Sequence, residues 1–299
     1  MGDKHENVIV VGVDSSPEAL TAARYAVDEA QRRHLDVRLV HAYGLTPIDV
    51  PYTDSGVNAD ERRESQALME WIVNDLAPPA TVSVETRLEL AATVPALEHA
   101  AATARLLVVG HHEASWGERL LSGSVASALS ARASCPVVTV PGRWHPVSTS
   151  KQPVIVALDG ETSARSALKR AFEQADLMET DLVALHAAPT SATPLELQEH
   201  EVTVAEVLAG WRELYPSVTV RTKALPGEAD DAIVDASHRA AILVVGRPHT
   251  NRSLTRWTRS VGRRVLMRTR CPLMVVPQDP ADIGRAPAGN GLDLLIPTY

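Results

Sequence analysis

Two places in the sequence combine residue types and spacing that could do chemistry. The first is "VDSSPEA", where Asp14 follows a Val-rich run with Val13 before it and Ser15 after it. A carboxylate there can accept hydrogen bonds from an adenine amino group or a ribose hydroxyl, or it can serve as a turn or capping group. Ser16 before Pro17 has the form of an N-cap followed by proline at the first helical position. The second is "GHHEASWGERLLSGSV", Gly110 to Val125. Gly110 ends an apolar run, where a missing side chain lets a ligand approach the backbone. Gly123-Ser124 opens a helical pattern, and the free N–H groups and dipole of a helix start favour an anion. Ser124 can donate its hydroxyl to that anion or cap the helix, and Val125 offers a further backbone N–H.

Between these ends the loop is less hospitable. His111 and His112 can donate to phosphate when protonated, or be plain loop residues; because adjacent histidines point apart, no metal site is read. Glu113 brings a negative charge, and Glu118 with Arg119 could polarise a water for slow hydrolysis of a bound phosphate ester. No Gly-x4-Gly-Lys-Ser/Thr and no Gly-x-Gly-x-x-Gly follows the first strand, which weakens the ordinary P-loop and NAD-binding readings. No Gly-x-Ser-x-Gly marks a nucleophile. The catalytic set is therefore empty.

Composition narrows the class. A formal net charge of −8 argues against general nucleic-acid binding. One basic run stands apart: Arg247, Arg252, Arg256, Arg259, Arg263, Arg264, Arg268 and Arg270, with no acid among them. The chain up to Pro146 carries 12 basic and 19 acidic residues, leaving 17 and 18 for the rest. That asymmetry suits an acidic half docked on a locally basic surface. The two cysteines, Cys135 and Cys271, each precede a proline and read as buried thiols, with a redox role as the alternative. No apolar run approaches a bilayer span and the start lacks a signal-peptide pattern, so a soluble cytoplasmic protein is expected.

The elements that must position these residues occur twice. "NVIVVGVDSSPEALTAARYAVDEA" from Asn7 matches "PVIVALDGETSARSALKRAFEQA" from Pro153, "ARLLVVG" ending at Gly110 matches "AAILVVG" ending at Gly246, and "CPVVTVP" at Cys135 matches "CPLMVVP" at Cys271. Three blocks in one order mean a duplicated domain. The boundaries predicted are 1–146, 147–277 and a Pro/Gly-rich tail, 278–299, free to pack as an arm or stay mobile; "GRWHPVSTSKQ" reads as the linker. In the first half, strands are predicted at Val8–Val13, Val37–Ala42, Val82–Leu88, Leu106–Gly110 and Val137–Val140, and helices at Pro17–Arg33, Ala59–Leu76, Val94–Ala104 and Val125–Arg132. Strands in the second half are predicted near Val154–Leu158, Asp181–His186, Thr219–Ala224, Ile242–Gly246 and Leu273–Val276. Continuous apolar strands alternating with helices predict a doubly wound, parallel α/β sheet in each half, Rossmann-like in design. Such sheets bind ligands beyond the carboxyl ends of their strands, the edge where Asp14, Ala42 and Gly110 emerge.

Together, Asp14 after the first strand, "LLVVG" at Gly110, Gly123-Ser124-Val125 and the Cys-Pro-Val-Val block resemble the universal stress protein family, and the duplication resembles its tandem-domain members. The fold implied is the adenine-nucleotide alpha hydrolase-like α/β domain. ATP-binding members carry Gly-x2-Gly-x9-Gly-Ser/Thr; Gly110, Gly123 and Ser124 fall in register with it, while Glu113 replaces the middle glycine. In the second half Gly246 and Ser260 keep register, with His249 and Arg259 in place of the other glycines and Asp159 in place of Asp14. Glu113 sets like charge near phosphate, which costs about 1–4 kcal/mol at surface-like dielectrics; magnesium or an outward rotamer would relieve it. Arg259 blocks backbone approach yet binds phosphate by its own fork of donors.

The resemblance implies a regulatory protein with ATP, with or without Mg2+, or a related nucleotide such as cAMP, in the first domain. Val13, Asp14, Ser15 and Ala42 would hold adenine and ribose, and Gly110, His112, Glu113, Gly123, Ser124 and Val125 would border the phosphates. Asp159, Gly246, Arg259 and Ser260 would form the weaker second site. The family also pairs domains through their last strands, which implies an intrachain pseudo-dimer, with a homodimer and an unidentified protein partner beyond it. A nucleotide-free scaffold acting through protein contacts is the main rival, and a slow ATPase ranks last.

Overall fold

In the computed structural model, residues 7–44, 57–111, 124–145, 152–158, 163–188, 190–227, 229–247 and 261–279 are described. The chain divides into two compact units after His145. The first runs β1 (Val8–Gly12), α1 (Pro17–Arg33), β2 (Asp36–Tyr43), α2 (Val57–Leu76), β3 (Val84–Leu90), α3 (Thr93–Ala101), β4 (Leu106–His111), α4 (Ser124–Arg132) and β5 (Val137–Pro141). The second runs β6 (Val154–Leu158), α5 (Ser163–Leu177), β7 (Leu182–Ala188), α6 (Pro194–Leu214), β8 (Val220–Pro226), α7 (Ala229–Ser237), β9 (Ile242–Gly246), α8 (Val261–Arg268) and β10 (Leu273–Val276).

Within the first unit the strand order is β3-β2-β1-β4-β5, and every pair is parallel. The second unit repeats it as β8-β7-β6-β9-β10. Each sheet is thus doubly wound, with its order reversing at the first strand of the unit. That reversal opens a crevice at the carboxyl edge. The fold is the α/β one that alternating strands and helices predict.

Helices cover both faces of these strands, so the central ones are apolar throughout. Ile9, Val10 and Val11 in β1 and Leu107 and Val108 in β4 are fully buried. The edge strands depart from the predicted continuous apolar pattern. β3, "VETRLEL", exposes most of its side chains, and β8, "VRTKALP", buries only Ala224, because each has only one neighbouring strand. Charged residues on such strands also discourage pairing with other chains.

α1 shows how the local sequence sets its element. Ser16, with extended backbone, accepts at Oγ from Ala19 N–H at 3.2 Å, and Pro17 occupies the first turn. At the other end His34 adopts a left-handed φ of 55° and Leu35 N–H closes back on Ala30 O at 3.0 Å. Its alanine face (Ala19, Ala22, Ala23, Ala26 and Ala30) is buried, and these small side chains let the helix lie close on the sheet. The chain after β5 is not yet linker: Trp144 packs edge-on against Tyr25 of α1, ring centroids 5.2 Å apart. Thr21 of α1 donates to Gly142 O at 3.4 Å, and in the second unit the matching Ser166 accepts from Asp279 N–H at 3.1 Å. Both units therefore tie their first helix to the chain leaving their last strand.

Candidate functional site

The carboxyl edge of the first sheet is built by register. Gly12 lies opposite Val40 on one side and Val109 on the other, so the next residues of β1, β2 and β4 emerge together. These are Val13 with Asp14, His41 with Ala42, and Gly110 with His111. α4 returns antiparallel between β4 and β5, which places its N-terminus at Ser124 on this same edge by topology. α1 begins there too.

Asp14 is exposed, as is Ser15. Its Oδ1 accepts from Ser16 N–H at 2.9 Å and from the Ser16 hydroxyl. The turn reading of Asp14 is thus realised, but on one oxygen; Oδ2 is the atom that can accept from an amino or hydroxyl group. Val13 is buried and donates its N–H to Val40 O at 3.0 Å. Its carbonyl accepts from His41 Nδ1 at 2.8 Å. Ala42 is half-buried opposite Glu89 of β3, and Val125 is half-buried in the first turn of α4.

Gly110 acts differently from its sequence reading. A Cβ there would meet the backbone of Glu18 at 2.6 Å and Ala19 N at 2.9 Å. The missing side chain therefore admits the first turn of α1, and the glycine sets where that helix begins. His111 also differs. It is the last residue of β4, 2% exposed and in register with Pro141, and not part of a surface loop.

His112, Glu113 and Gly123 lie outside the described residues, as do Asp159, His249, Arg259 and Ser260, and the Ser124 side chain. In the second unit Gly246 is half-buried and in register with Val276. Both cysteines are buried, and burial pushes the Cys271 thiol up to about 12. A thiol that stays protonated in neutral solution is a poor nucleophile, which favours the structural reading of Cys271. No group of three or more metal-ligating side chains converges among the described residues, and none of their helices is long and apolar enough to cross a membrane.

Sequence reasoning missed His41. The signal was present in the repeat: "VHA" at Val40 to Ala42 recurs as "LHA" at Leu185 to Ala187. His186 Nδ1 correspondingly donates to Leu158 O, at 3.3 Å.

The model of the universal stress protein family matches residues 7–141 and again 151–277. The chain belongs to the universal stress protein family. As a tandem member it is similar to a universal stress protein of Mycobacterium tuberculosis, 33% identical over 286 residues that cover 89% of this chain and 95% of that one. A universal stress protein of Mycolicibacterium smegmatis is 30% identical over 284 residues, covering 90% and 96%. Among solved structures, a universal stress protein from Archaeoglobus fulgidus superposes with a TM-score of 0.70 at 15% identity, covering 93% of this chain and 99% of that one. That last likeness concerns the fold. As a universal stress protein, the chain carries the Rossmann-like domain twice, and Asp159 follows Leu158 in the sequence as Asp14 follows Val13.

Proposed function

We propose that this universal stress protein is a cytoplasmic stress-response regulator that binds an adenine nucleotide in its first unit and acts through binding, not catalysis. The observation that carries the reading is the convergence of Asp14, Ala42 and the N-termini of α1 and α4 on the switch-point edge of one sheet. Asp14 Oδ2 can accept from the adenine amino group or the ribose hydroxyls, beside Ala42. Val125 and Ser124, at the start of α4, offer N–H groups where a helix dipole favours phosphate. His112, Glu113 and Gly123 complete the loop by their place in the sequence. ATP, with or without Mg2+, and cAMP share the adenine and ribose that Asp14 recognises. Occupancy would change which surfaces a protein partner or a second copy meets.

Isothermal titration of the full chain with Mg-ATP, AMP and cAMP tests this. Micromolar binding of one nucleotide, lost in Asp14→Ala, supports the reading; no heat with any of them overturns it. A nucleotide-free scaffold is favoured by one observation, the carboxylate of Glu113 where the family resemblance implies a glycine.

A further inference from the structure

We propose that His41 is a positioning residue for the nucleotide site, a donor from β2 that sets the turn presenting Asp14. The inference rests on the nucleotide reading for its functional meaning, but its structural half can be tested alone. Regular pairing of β1 with β2 ends at Gly12 opposite Val40. Val13 lies one residue beyond, where the chain must leave the sheet to reach α1, and its backbone is held at both polar atoms. Its N–H donates to Val40 O at 3.0 Å, and its carbonyl accepts from the His41 ring at 2.8 Å. The side chain thus continues the ladder by one hydrogen bond after the backbone pairing has stopped.

A carbonyl can only accept, so Nδ1 carries the hydrogen and the tautomer of His41 is fixed. The next residue is Asp14, whose Oδ1 is in turn held by Ser16, the N-cap of α1. Anchoring Val13 therefore orients both the aspartate and the start of the helix.

The second unit repeats the contact independently. His186 donates to Leu158 O at 3.3 Å, and Leu158 precedes Asp159 as Val13 precedes Asp14. The sequence separation is 28 residues in both cases. The glycine loop diverges between the two halves, with Glu113 in one and His249 and Arg259 in the other, yet the histidine is kept in both. The clamp belongs with the aspartate turn and not with the phosphate loop. Packing a half-buried imidazole would not by itself require its ring nitrogen to meet the strand-end carbonyl in both copies.

The test compares His41→Asn, His41→Leu and His41→Gln in the full chain. Asparagine keeps an N–H donor at the position of Nδ1; leucine fills similar volume with none; glutamine keeps a donor but sets it one carbon too far. Two readouts are taken: affinity for whichever of Mg-ATP, AMP and cAMP the wild type binds, and the exchange rate of the Ser16 amide by NMR without ligand. The expected result is affinity weakened roughly five- to tenfold in His41→Leu, about the net worth of one hydrogen bond, with His41→Asn keeping wild-type affinity and Ser16 exchange faster in His41→Leu and His41→Gln but not in His41→Asn. If His41→Leu does not fold, weaker binding by His41→Gln than by His41→Asn supports the inference, and equal binding overturns it. If the wild type binds none of Mg-ATP, AMP and cAMP, the nucleotide reading falls, and the positioning inference is decided by Ser16 exchange: faster in His41→Leu or His41→Gln but not in His41→Asn supports it, and equal rates overturn it. Wild-type binding with unchanged affinity in His41→Leu overturns it outright.

Discussion

A Cβ on Gly110 would stand 2.6 Å from both the carbonyl carbon and the carbonyl oxygen of Glu18. The end of β4 and the first turn of α1 therefore touch backbone to backbone, and the site edge is assembled around that contact. Gly110→Ala is expected to destabilise the first unit by about 1–3 kcal/mol, the usual cost of forcing extra volume into a packed position. Chemical denaturation checks it. A midpoint equal to wild type would mean that α1 can shift at no cost.

Asp14 should behave oppositely. It is exposed, and its contacts are confined to its own turn. Asp14→Ala is expected to cost less than about 1 kcal/mol of stability, the scale of a lost local turn or cap bond, while weakening nucleotide binding at least tenfold. Denaturation and titration on the same preparation separate the two effects.

Asp28 gives a pH dependence. Burial raises its carboxyl above the usual range, partly offset by Arg32. The folded state thus favours the protonated form, and ionisation costs stability as pH rises through the folded value. Asp28→Asn, which mimics that form, should raise the melting temperature at pH 7. The gain should vanish at pH below the ordinary carboxylate value of 3.8, where both states are protonated. Melting curves from pH 3 to pH 8 would show the two proteins converging at the acid end.

The cysteines should be silent in the native protein. Both are buried, and the Cys271 thiol is pushed up to about 12 by burial. A thiol reagent at pH 8 should label neither within the time that labels both after denaturation. Rapid native labelling would reopen the redox reading.

Much of this was legible in the sequence, for physical reasons. The runs "VIVVG" and "LLVVG" are apolar because helices cover both faces of central strands, so strand class, duplication and the position of Asp14 could be read directly. The edge strands were harder, since β3 and β8 carry charges that a one-sided strand tolerates. Its apolarity predicts Val82 as the start of β3, but it is buried before the strand begins at Val84. The sequence suggests that Gly110 makes room for a ligand because it cannot show that a helix backbone lies against it. His41 was missed because a histidine inside a strand looks like packing until the carbonyl it meets is known.

The most direct test of nucleotide binding in the first unit is to denature freshly purified protein and quantify the released nucleotide per chain by mass spectrometry. The prediction is about one adenine nucleotide per chain, or stoichiometric uptake on incubation with millimolar Mg-ATP, lost in Asp14→Ala and Gly123→Ala. No nucleotide released and none taken up would contradict it, and would leave a universal stress protein that works as a scaffold.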